Sequence, residues 1–87
     1  MKKIFIVGGT SGFGLSLAKK FHPDHEVTVC GRKKFSFFNS IICDSLEIKE
    51  ELFNQYEPNI IINNSFDKKD YIKSYAGSLN VLKTAFN

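Results

Sequence analysis

The sequence predicts an α/β protein built on a parallel sheet, and two observations carry that prediction. Short, almost wholly apolar segments at residues 3–8, 26–30, 41–43 and 59–63 alternate with stretches whose apolar residues recur at helical spacing. Parallel strands need helical crossovers, and strands covered on both faces are apolar throughout rather than alternating. The first apolar segment also runs straight into glycines and then into an amphipathic stretch, as Ile4-Phe-Ile-Val-Gly-Gly-Thr-Ser-Gly-Phe-Gly14. Glycine lets the backbone turn tightly after a strand, and the helix that follows points unpaired N–H groups and a partial positive charge back at the turn.

Each element has its own warrant. Residues 3–8 form the first strand. Phe13, Leu17 and Phe21, with Ala18 beside them, set the apolar stripe of a first helix, which Pro23 stops near His22 because the residue before a proline avoids helical geometry. Glu26 to Cys30 is the second strand. Residues 31–40 are a short stretch, which leaves little room for a crossover helix and predicts a loop. Ile41 to Cys43 is a short third strand, and Asp44-Ser-Leu-Glu47 matches a capping box that opens a helix reaching about Tyr56, with Ile48, Leu52, Phe53 and Tyr56 facing the core. Pro58-Asn59 breaks that helix, and Asn59 to Asn63 is the fourth strand. A last helix from about Lys69 to Phe86 carries Ile72, Tyr75, Ala76, Leu79, Leu82 and Phe86 on one stripe. Residues 1–87 read as one domain, without repeats, linkers or low-complexity segments.

Composition narrows the function. A chain of 87 residues buries only roughly 60 to 65% of its unfolded surface, so its stability margin is thin and a partner subunit would help. The net charge of +3 is spread over eleven lysines and one arginine, with no basic block longer than Arg32-Lys33-Lys34 and no nucleic-acid recognition pattern. Apolar runs such as Ile4 to Val7 and Ile60 to Ile62 fall far short of the roughly 20 residues a bilayer requires. Met-Lys-Lys leads into a strand without a signal-peptide cleavage site, so the expected location is cytoplasmic. Cys30 and Cys43 lie in apolar runs and read as buried, inert thiols. His22 and His25 have no companions at metal-ligand spacing, so no metal site is expected.

The glycine turn reads as a cradle for a pyrophosphate, formed by Gly8, Thr10, Ser11, Gly12, Phe13 and Gly14. Thr10 and Ser11 add hydroxyl donors suited to a phosphate, and either also suits a helix cap. At the end of the second strand, NAD-preferring proteins present an acid to the ribose hydroxyls and NADP-preferring ones a base to the extra phosphate. Gly31-Arg32-Lys33 offers bases and no acid, and the guanidinium fork of Arg32 can hold a phosphate by two bonds. The reading is therefore NADP(H) in preference to NAD(H), against the alternative that Arg32 is an ordinary solvated charge.

The spacing of Gly8, Gly12 and Gly14, G-x-x-x-G-x-G, resembles the cofactor fingerprint of the short-chain dehydrogenase/reductase family more than the G-x-G-x-x-G of other dinucleotide folds. Val7 stands where that family usually has Thr. The resemblance implies a reduced Rossmann-like three-layer fold whose four-stranded parallel sheet has the order 3-2-1-4. It also implies that Asp44 accepts a hydrogen bond from the adenine amino group, in addition to or instead of capping a helix. Asn63-Asn64-Ser65 is similar to the family's Asn-Asn-Ala-Gly signature, which implies that the asparagines tie the sheet together and that Asn64 and Ser65 border the cofactor ribose. Gly77-Ser-Leu-Asn-Val-Leu-Lys-Thr-Ala85 resembles the family's Gly-Thr-x-Asn-Leu-x-x-Ala-Ala helix, which places the family's catalytic asparagine at Ser74 and makes Asn80 a structural helix residue. The family's active serine and Tyr-x-x-x-Lys pair have no counterpart in this sequence. Tyr56, Tyr71 and Tyr75 are followed four residues later by Ile60, Tyr75 and Leu79, so none has a lysine one helical turn on.

The resemblance thus covers the cofactor half of a family member. Its implication is an NADP(H)-binding domain without dehydrogenase activity of its own and with no catalytic residues assigned. Two alternatives stay open: an NADP-dependent oxidoreductase whose site is completed by oligomerisation, and a non-catalytic interaction module or truncated remnant. An uncovered fourth strand and last helix predict a homodimer.

Overall fold

The computed structural model describes residues 1–8, 12–32, 39–64 and 71–85, with the helix backbone alone for residues 71–75. In order these form β1 (Lys3–Val7), α1 (Gly12–Phe21), β2 (Glu26–Gly31), β3 (Asn39–Ile42), a single 3-10 turn (Ser45–Glu47), α2 (Glu50–Tyr56), β4 (Ile60–Asn63) and α3 (Tyr71–Ala85). The four strands make one parallel sheet in the order β3-β2-β1-β4, which is the predicted class and order. β1 lies inside the sheet, with Ile4 opposite Val27 on one side and Ile60 on the other.

That position explains why Ile4-Phe-Ile-Val7 is apolar without alternation. Ile4 and Ile6 face α1 and join Val27, Val29 and Ala18, while Phe5 and Val7 face α2 and α3 and join Cys30, Ile48, Phe53 and Val81. The ring of Phe53 meets that of Phe5 edge-on at 5.2 Å, a favourable aromatic geometry. Entry into β4 is pinned reciprocally, since the Lys3 N–H donates to Asn59 Oδ1 at 2.9 Å and the Asn59 N–H to the Lys3 carbonyl at 2.8 Å.

Four expectations need correction. Phe13 does not face the core; it is 68% exposed. The inward line of α1 starts instead at Gly14 and continues through Ala18, because the missing side chain at Gly14 lets the helix lie directly against β1, and Phe13 is one residue's rotation off that line. Asp44 does open a helical turn, but the turn ends at Glu47. Ile48 and Lys49 are extended and α2 restarts at Glu50, since Ile48 is buried and its carbonyl accepts from side chains of α3. β3 spans Asn39–Ile42, so Cys43 lies just past it, although its N–H still bonds the Gly31 carbonyl at 3.1 Å. In α3 the inward positions include Gly77 and Val81, whereas Leu79 and Leu82 are exposed. The loop expected over residues 33–38, and the predicted ends of the last helix at Lys69 and Phe86, lie outside the described residues.

Candidate functional site

The carboxyl ends of all four strands open on one edge of the sheet. They bring together Gly8 after β1, Arg32 after β2, Asp44 just past β3 and Asn64 after β4. The chain moves outward from β1 to β2 and β3 and then returns to the far side of β1 as β4. The crevice between β1 and β4 is therefore the point of reversal at which open parallel sheets bind ligands.

Three glycines around that point meet three different demands. Gly8 has φ 80°, in the left-handed region, while its N–H extends the sheet by donating to the Cys30 carbonyl at 2.7 Å. Gly12 has φ 56° and opens α1; among the described residues a Cβ there would meet nothing within 4 Å, so on their side the helix start faces open space. Gly14 is buried, and a Cβ on it would overlap the Gly8 carbonyl oxygen and stand 3.0 Å from the Asn64 amide nitrogen. The first turn of α1 carries no acid, and Lys19 and Lys20 occupy its last turn, so the positive pole at Gly12 is not neutralised by the helix's own side chains. Phe13 stands exposed beside it. Thr10 and Ser11 lie outside the described residues.

The flanking strand ends add charge and fixed polar groups. Arg32 follows Gly31 directly and is exposed; Lys33 lies outside the described residues. Asp44 caps the 3-10 turn: its Oδ1 accepts from the Leu46 N–H at 3.2 Å and the Ser45 hydroxyl at 3.3 Å, while its own N–H donates to Glu47 Oε1 at 3.1 Å. The Asn64 N–H donates to the Val7 carbonyl at 2.8 Å, tying the end of β4 to β1. Ser65 lies outside the described residues. Both cysteines are free thiols. Cys30 Sγ donates to the Cys43 carbonyl at 3.2 Å and Cys43 Sγ to the Asp44 carbonyl at 3.4 Å, and burial pushes both thiols above their ordinary pKa. They stay protonated at neutral pH and are not nucleophiles there. Among the described residues no three His, Cys, Asp or Glu side chains could share a metal ion, and no helix is long and apolar enough to cross a membrane.

One part of the arrangement escaped the sequence reading. The Asp44–Ile48 segment docks on α3 through Gly77, Asn80 and Thr84. A Cβ on Gly77 would overlap the Ser45 hydroxyl. Asn80 Nδ2 donates to the Ser45 carbonyl at 2.8 Å and the Ile48 carbonyl at 3.0 Å, and the Thr84 hydroxyl donates to the Asn80 carbonyl at 2.8 Å. Asn80 is thus structural, as its register implied, but it acts between elements rather than within its helix. The available sign was Gly77 itself, because glycine inside a helix costs roughly 0.5–1 kcal/mol against alanine unless close packing demands it. The side chain of Ser74 is not among those described.

No family model matches the chain, and no curated protein matches it in sequence. Among solved structures it is similar to the Bordetella bronchiseptica enzyme WbmG in complex with NAD, at 22% identity and a TM-score of 0.82 over 97% of this chain and 33% of that one. It is also similar to uronate dehydrogenase from Agrobacterium tumefaciens, at 13% identity and a TM-score of 0.68 over 99% of this chain and 36% of that one. A variant of the same dehydrogenase complexed with NAD gives 13% identity and a TM-score of 0.67, over 98% and 36% of the two chains. The chain therefore spans about a third of the length of these structures. At such identities the likeness establishes the fold, a Rossmann-like α/β sheet.

Proposed function

We propose that the chain binds a nicotinamide dinucleotide across the carboxyl ends of its strands, with the pyrophosphate at the β1–α1 turn. The observation that carries this reading is the division of labour among the glycines: left-handed Gly8 and Gly12 around open space at a helix start, and Gly14 pressed against β1. A phosphate group there would meet helix N–H groups and an unneutralised dipole. The NAD-complexed structures of similar fold support it, as does the resemblance to short-chain dehydrogenases/reductases. On this reading Gly8, Thr10, Ser11, Gly12, Phe13 and Gly14 surround the pyrophosphate, Asp44 accepts from the adenine amino group, and Asn64 and Ser65 border a ribose. The bound group would supply a hydride donor or acceptor; these residues bind and orient it.

Arg32 and Lys33 favour NADP(H), because in sequence they follow the second strand with bases and no acid, the pattern that suits a 2′-phosphate. The NAD in two of the similar structures favours the competing reading, in which Arg32 is an ordinary surface charge. A titration separates the two. The sequence contains no tryptophan, so fluorescence of bound NADPH or NADH can be followed free of indole background. Saturable binding with NADPH the tighter ligand is expected. Tighter NADH binding would hand the site to NAD, and saturation by neither would overturn the dinucleotide reading and leave an interaction module. The chain alone is not expected to oxidise NADPH with aldehydes or ketones, for want of a tyrosine paired with a lysine one turn on. Saturable turnover abolished by Gly12→Val would instead establish an enzyme.

A further inference from the structure

We infer that Asn80 is a positioning residue for the purine end of this site, holding the turn that carries Asp44 at a fixed height above the sheet edge. The inference rests on the reading of Asp44 as the acceptor for a purine amino group. Its physical basis is the way the turn is fastened. Asp44 and Glu47 lock it internally, since each accepts from the other's N–H side of the capping box and the Glu47 N–H also donates to the Asp44 carbonyl at 2.8 Å. The segment from Asp44 to Glu47 therefore moves as one piece.

What sets the position of that piece is α3. The carbonyls of Ser45 and Ile48 would each accept an N–H four residues on if the helix continued, but it breaks at Ile48 and both accept from the single amide nitrogen of Asn80 instead. Gly77, one turn earlier on α3, has no side chain to stand in the way of Ser45, whose hydroxyl a Cβ there would strike. Thr84, one turn later, bonds the Asn80 carbonyl and reaches the Ile48 carbonyl at 3.5 Å. Gly77 thus allows the approach, Asn80 fixes its register, and Asp44 is carried one residue before the clamped Ser45. Removing the Asn80 amide leaves two carbonyls without that donor and frees the turn to slide along α3.

The test compares NADPH with its hypoxanthine analogue, in which a carbonyl replaces the purine amino group. The native chain should bind NADPH about tenfold more tightly than the analogue, the worth of one hydrogen bond to a charged acceptor. Asn80→Ala and Asn80→Asp should lose that preference by weakening NADPH alone, with the affinity for the analogue unchanged. A parallel loss for both ligands, or an unaltered preference, overturns the positioning role. If the native chain binds neither ligand, the dinucleotide reading itself fails, a result distinct from either of these. Should the Asn80 variants not fold, Gly77→Ala displaces the same turn from the other side. It should lose the preference, and adding Ser45→Gly, which removes both atoms the new methyl would strike, should restore it. Native preference in Gly77→Ala, or no restoration in the double variant, counts against the inference.

Discussion

On the proposed reading, Arg32 is the residue that selects the cofactor. It stands exposed directly after β2, and its planar fork can grip a phosphate by two parallel bonds where lysine offers only a point charge. Arg32→Ala is expected to weaken NADPH by about 1.5 to 3 kcal/mol and leave NADH nearly unchanged. Calorimetric titration of both cofactors checks this, and equal losses would remove Arg32 from cofactor selection. Lysine at the same position should recover only part of the NADPH affinity.

At the scale of elements, the junction of β1 and α1 separates two kinds of glycine that look alike in sequence. Gly14→Ala drives a methyl into the Gly8 carbonyl, which is main chain and cannot swing away, so α1 must lift off the sheet. A cost of about 1 to 3 kcal/mol follows from such overpacking. Gly12→Ala meets no neighbour among the described residues and costs only its left-handed φ, roughly 1 kcal/mol. Urea denaturation should therefore rank Gly14→Ala as the more damaging of the two. The same junction shows how far local pattern reaches. The strands were legible because both faces of β1 and β2 are buried, and the turn because only glycine suits its geometry. The stop of α1 followed from Pro23. Illegible were the outward face of Phe13, set by contact between Gly14 and Gly8, and the break at Ile48, set by Asn80 more than thirty residues away in sequence. Of the residues expected at the site, Gly8, Arg32, Asp44 and Asn64 lie at the strand ends and Gly12 and Gly14 in the first turn of α1; Asp44 caps the 3-10 turn, as its capping box implied. Long-range packing cannot be read from periodicity, which reports only what each segment does by itself.

For the molecule as a whole, the sheet is covered unevenly. Among the described residues α1 is the one helix over the face that carries Ile4 and Ile6, and Ile42 on one flank and Ile60 on the other are 67% and 42% exposed. β4 pairs with β1 alone among the described strands, and Leu79 and Leu82 of α3 are exposed as well. A free strand edge beside apolar side chains invites association. The expected state is a homodimer whose interface includes residues between 59 and 86. Light scattering at tens of micromolar checks it, with Leu79→Glu expected to dissociate the pair if α3 is the main contact; a monomer, or an interface confined to residues 1–40, would refute it.

The central place of β1 also has a consequence in time. During synthesis Ile4-Phe-Ile-Val7 is made before either of the strands it pairs with. Its first neighbour, β2, follows after some twenty residues, but its second, β4, is not made until residues 60–63. At translation rates of about 5–20 residues per second, that wait lasts on the order of seconds. Until it ends, an apolar strand has an open side in a chain that cannot yet close its core. The nascent chain is then most dependent on whatever shields it at the ribosome, and a ribosome stalled before residue 60 holds a product with every hazard of an unfinished sheet.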